Sequence, residues 1–70
     1  MFKVETPVVG RVVAVMVAPG QRVEIGDSVA KVESMKMEIP VEAERAGTVA
    51  RVLVSEGDEV EEGQIVVELE

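Results

Sequence analysis

Residues 10–26 read GRVVAVMVAPGQRVEIG and residues 47–63 read GTVARVLVSEGDEVEEG. Set one above the other, the two stretches carry glycines at the same three places, Gly10, Gly20 and Gly26 over Gly47, Gly57 and Gly63. Val12, Val15, Val17 and Val23 fall on Val49, Val52, Val54 and Val60. Working outward, the same offset lays residues 2–33 on residues 39–70 without a gap. It adds Val4-Glu5 over Val41-Glu42, Val29 over Val66 and Glu33 over Glu70. Chance does not keep three glycines and their flanking valines in register, so the chain is two copies of one unit.

Each unit reads as short strands joined by turns. The first has an extended piece over residues 2–5, a break at Pro7 and Gly10, and a strand over residues 11–17. Pro19-Gly20 then makes a β-turn, Val23 and Ile25 follow, Gly26-Asp27 turns again, and residues 29–33 form a last strand. There Ala30 and Val32 alternate with Lys31 and Glu33, the period of two expected of a half-buried strand. The second unit repeats the scheme, with turns at Glu56-Gly57-Asp58 and Glu62-Gly63. Residues 12–17 and 49–54 are almost continuously apolar, which fits strands covered on both faces or crossing between sheets. Two such units bury their apolar faces only against each other, about a pseudo-twofold axis. The expectation is an all-β domain over residues 1–70, a flattened barrel or sandwich of about eight short strands with negligible helix.

Composition narrows the function. Seventy residues without cysteine or histidine have neither disulfides nor the commonest metal ligands to staple them. Stability rests on a regular core, and valine, a stiff strand former, is the commonest residue. The net charge of −7 speaks against nucleic acid or an anionic membrane as partner. No apolar run approaches the roughly 18 residues of a membrane span, and the first residues lack the apolar stretch of a signal peptide, so a cytoplasmic location is expected. Without Cys, His or Tyr the usual nucleophile–base pairs have no members. A non-catalytic protein with no metal site is expected.

The two copies leave Ser34-Met35-Lys36-Met37-Glu38 unmatched, with Lys36 at the centre. Strand character on both sides makes this insert a tight hairpin tip. Its image under the repeat lies beyond the chain ends, so tip and termini should occupy opposite ends of the molecule. The plain reading is a solvated turn lysine. Met35 and Met37 argue for more, since methionine is a poor turn former and a good soft recognition surface; the alternative is that one or both point into the barrel end as core. Glu33 and Glu38 are strand-edge charges, or help a partner to position the hairpin. The chemistry suited to such a lysine is acylation by another protein, in which the amine, delivered with a base, attacks an activated acid.

At Glu33-Ser34-Met35-Lys36-Met37-Glu38 the sequence resembles the biotinyl/lipoyl attachment domain family, and within it the biotin carriers with their Ala/Ser-Met-Lys-Met signature. The likeness extends to Pro7 with Gly10, Pro19-Gly20, Val23, Gly26-Asp27, Ala43 to Gly47, Gly57 and Gly63. It implies a barrel-sandwich hybrid of two four-stranded sheets. It also implies covalent biotin on Lys36, flanking recognition by Met35 and Met37, and contacts of Ser34, Glu33 and Glu38 with a biotin protein ligase. The implied partners are biotin carboxylase and carboxyltransferase subunits or domains. Biotin would take up a carboxyl group at the first, using bicarbonate and ATP, and release it at the second to an acyl-CoA or a keto acid. Ser34 stands where Ala is commoner, and Pro7-Val8-Val9-Gly10 replaces the Pro-Met-Pro-Gly of many carriers. Val17 and Val23 are bridged by a turn, without the inserted thumb of the bacterial acetyl-CoA carboxylase carrier. That makes the chain more similar to carriers of acyl-CoA, pyruvate or oxaloacetate carboxylases, or to small stand-alone attachment proteins. The rivals are a lipoyl domain of a 2-oxo acid dehydrogenase complex, with lipoate on the same lysine, and an unmodified interaction module. Lipoyl domains usually place Asp before the lysine, and Met35 and Met37 speak against that reading.

Overall fold

The computed structural model describes residues 1–70 and contains eight strands and no helix: β1 (Phe2–Glu5), β2 (Gly10–Val15), β3 (Arg22–Val23), β4 (Ser28–Ser34), β5 (Met37–Glu42), β6 (Gly47–Val52), β7 (Glu59–Val60) and β8 (Ile65–Leu69). They form two antiparallel four-stranded sheets, ordered β1-β8-β6-β3 and β5-β4-β2-β7. The repeat is visible pair by pair. Phe2 faces Leu69 and Val4 faces Val67 in one sheet; 37 residues on, Ile39 faces Val32 and Val41 faces Ala30 in the other. Even the irregularities are duplicated, with one bulge between Val12 and Ala14 and its twin between Val49 and Arg51.

The core between the sheets is a cluster of 15 buried residues, and all but Ala30, Ala43 and Leu69 are valines. Every strand contributes at least one of them, so neither unit closes a core alone. Thr6 is the one buried polar residue; its hydroxyl donates to the Val8 carbonyl at 2.8 Å.

Four turns of one design connect the strands. In each, the N–H of the last residue donates to the carbonyl three positions back: Gln21 to Ala18, Asp27 to Glu24, Asp58 to Ser55 and Gln64 to Glu61. The side-chain oxygen of the same residue accepts the N–H of the first, as from Asp27 to Glu24 and from Asp58 to Ser55, both at 2.8 Å. The third residue is always glycine, and Gly20 and Gly57 have φ of 91° and 93°, the left-handed conformation that a type II turn requires there.

The structure settles three points of the sequence reading. The strand expected over residues 11–17 starts at Gly10 and ends at Val15. Of the two readings of its apolar run, crossing between the sheets holds and cover on both faces does not: Met16 is exposed between buried Val12 and Val17. The run continues because the chain here leaves one sheet for the other, Met16 still bonded to Val29 of β4 and Gly20 already bonded to Val49 of β6. Ile25 lies outside β3, in the turn after it, and is 71 % exposed.

Candidate functional site

β4 and β5 form the one hairpin with no counterpart in the repeat. Val32, Ala30 and Val41 are fully buried and fix its base on the core. Above them Glu33 pairs with Glu38 and Ser34 with Met37, so the ladder runs further than the five-residue insert suggested. Only Met35 and Lys36 remain to connect the strands, with φ of 52° and 66°. Positive φ at both central residues is the type I′ pattern, whose twist matches that of the flanking strands. Asn-Gly is the usual occupant. A residue with a β-carbon pays roughly 1–2 kcal/mol to adopt this conformation, and such strain gathers at functional positions.

The turn thrusts its side chains into solvent. Met35 is 92 % and Met37 63 % exposed, so neither fills the barrel end. Lys36 is exposed, and none of the ion pairs of the structure involves it. The facing carboxylates of Glu33 and Glu38 repel each other across the ladder. Arg11 of β2 relieves this, its guanidinium lying 3.3 Å from Glu33. Glu38 has no such partner.

One supporting residue was not singled out for this role from sequence. A β-carbon at Gly10 would overlap the carbonyl oxygen of Glu33 and lie 2.8 Å from the Val32 side chain. Gly10 therefore lets β2 lie close against the base of the hairpin. Its signal was its place in the repeat, where a β-carbon at Gly47 would lie 3.1 Å from the Glu70 carbonyl oxygen, a close but less severe approach.

The hairpin end and the chain ends are equivalent positions. The repeat carries the pair Phe2–Leu69 onto Ile39–Val32, so the termini and the turn stand on opposite sides of the pseudo-twofold axis. A surface concavity of about 540 Å3 lies elsewhere, between the edges of the two sheets near Val4, Thr6, Ile25, Pro40 and Ala43. No residue of the turn lines it. What the hairpin offers is an unpaired primary amine at the apex of a short, braced loop, suited to acylation inside another protein's cleft.

Known proteins share this sequence and this fold. The family described as "Biotin-requiring enzyme" matches residues 3–69. The Biotin/lipoyl attachment protein of Bacillus subtilis is 46 % identical over 60 residues, covering 86 % of this chain and 82 % of its own. The mitochondrial propionyl-CoA carboxylase alpha chain of Homo sapiens is 43 % identical over 93 % of this chain, which spans only 9 % of that protein. Among solved structures, the urea carboxylase of Kluyveromyces lactis superposes with a TM-score of 0.89 at 36 % identity, over 94 % of this chain and 6 % of that one. A single-chain, multi-domain long-chain acyl-CoA carboxylase gives 0.86 at 29 % identity, over 94 % of this chain and 7 % of that one. With two four-stranded sheets in the barrel-sandwich arrangement and a match along nearly its whole length, the chain belongs to the biotin/lipoyl attachment domain family of the biotin-requiring enzymes.

Proposed function

We propose that residues 1–70 are a non-catalytic carrier domain, and that Lys36 is the residue on which a biotin protein ligase forms an amide with biotin. One observation carries the reading. A body built twice over has one departure from its own symmetry, and that departure holds up a lysine. Lys36 would hold biotin through its amine, and the group would supply a ring nitrogen able to carry a carboxyl group between a biotin carboxylase and a carboxyltransferase site. The chain's own part is presentation. The turn holds the amine clear of ion pairs, the two bonded strands fix its direction, and the buried valines keep the base from yielding. Met35 and Met37 give apolar contact on either side of the amine, and Ser34, Glu33 and Glu38 form the rim that a ligase meets next. Tethering makes each delivery local, at millimolar-scale effective concentration for a short flexible link. Of the two acceptors, an acyl-CoA or a keto acid, the relatives named as propionyl-CoA and acyl-CoA carboxylases favour the first, with the carboxylase and carboxyltransferase units as partners.

Lipoate on Lys36 is the second reading, favoured by the name of the Bacillus relative, which joins both acids. Peptide mapping of the protein from its native host tests both. The expected result is the mass of biotin on Lys36 and its loss in Lys36→Arg. The mass of lipoate there would replace the first reading with the second. Unmodified Lys36 in cells whose ligase modifies other carriers would refute both and leave an interaction module.

A further inference from the structure

The chain has four methionines and no cysteine, so thioethers are its only sulfur. Met16 is 46 % exposed, on the segment that crosses between the sheets. Met35 and Met37 are more open, and they flank the one lysine at the turn. Neither belongs to the core cluster, so chemical change at these two sulfurs leaves the packed interior intact. Susceptibility of a thioether to oxidation follows its exposure, and the product is polar and chiral where the parent was soft and apolar.

We propose that Met35 and Met37 are a peroxide-responsive modification site, at which conversion of the thioethers to sulfoxides blocks ligation of the lysine between them. The inference rests on the reading of Lys36 as the ligation site. The sulfur lone pair attacks a peroxide oxygen, the O–O bond breaks as an S–O bond forms, and the sulfur loses two electrons. Hydrogen peroxide leaves as water after proton transfer. A dithiol reductase reverses the step, its thiols becoming a disulfide as the oxygen departs as water. On the turn, a sulfoxide replaces the apolar flank of the amine with a strong hydrogen-bond acceptor. A ligase surface shaped for methionine then has an unsatisfied polar group against it.

The test uses the 70-residue chain, oxidised with hydrogen peroxide before any ligation so that only its own sulfurs react. Peptide mapping over time should show Met35 gaining oxygen first and Met16 last of the three internal methionines. Thermal unfolding should be unchanged. The initial rate of biotinylation by a biotin protein ligase should fall about tenfold, equivalent to about 1.4 kcal/mol, and methionine sulfoxide reductases of both stereospecificities should restore it. Met35→Leu/Met37→Leu should keep its own rate through the same treatment. Equal rates for oxidised and untreated chain overturn the proposal alone, as does a lost rate that tracks unfolding. An untreated chain that takes no biotin on Lys36 fails the carrier reading, and the switch with it.

Discussion

Replacing Met35 by Asn should make the domain more stable and a poorer ligase substrate. At 92 % exposure the Met35 side chain has almost no packing to lose, so any change in stability is conformational. Its backbone sits at φ 52°, where a residue with a β-carbon is disfavoured by roughly 1–2 kcal/mol and Asn by less, because its short amide bonds locally. A gain of about 0.5–1 kcal/mol follows, a rise in Tm of roughly 2–8 °C for a domain of this size. Met35→Ala keeps the β-carbon and should stay within about 0.5 kcal/mol of the parent. Met35→Val, β-branched, should fall below it. With no Trp or Tyr to report, urea unfolding is followed by far-UV circular dichroism, and an unchanged slope would show that only stability moved. If Asn leaves the midpoint at or below the parent's while Val leaves it unchanged, the turn is not strained and the reasoning fails.

The glycines give two further predictions with different causes. Gly10→Ala should cost about 2 kcal/mol or more in the same urea assay, because the added carbon meets the backbone of Glu33, which cannot retreat without breaking the ladder; a stability equal to the parent's would mean that β2 and β4 are not so close. Gly57→Val should lose about 2 kcal/mol although nothing lies within 4 Å of the new carbon, since φ of 93° is closed to a β-branched residue; an unchanged melting temperature would contradict the left-handed turn.

The architecture was legible because duplication prints every structural need twice. Gly20 and Gly57, or Val12 and Val49, confirm each other, and their spacing alone gives the turns, the strands and the packing of one unit on the other. The hairpin was legible only as a place. It has no image to compare, and its turn carries Met-Lys in a conformation that usually announces itself by Asn-Gly, so the pairing of Glu33 with Glu38 and of Ser34 with Met37 was hidden. The like charges of Glu33 and Glu38 also argue locally against facing each other, and only Arg11, 22 residues away in sequence, makes the pairing tolerable. Ile25 was misread for a related reason. It was placed with Val23 ahead of the Gly26-Asp27 turn, but the Glu24–Asp27 turn already claims its backbone.

The equivalence of Phe2–Leu69 and Ile39–Val32 settles a question of moorings. Polypeptide of any length spliced onto β1 or β8 leaves on the side of the axis away from Lys36, and cannot shade the amine without doubling back past the whole body. One arrangement of strands thus suits a free-floating module as well as a pendant on a far larger machine, with the Lys36 turn facing away from the joints in both.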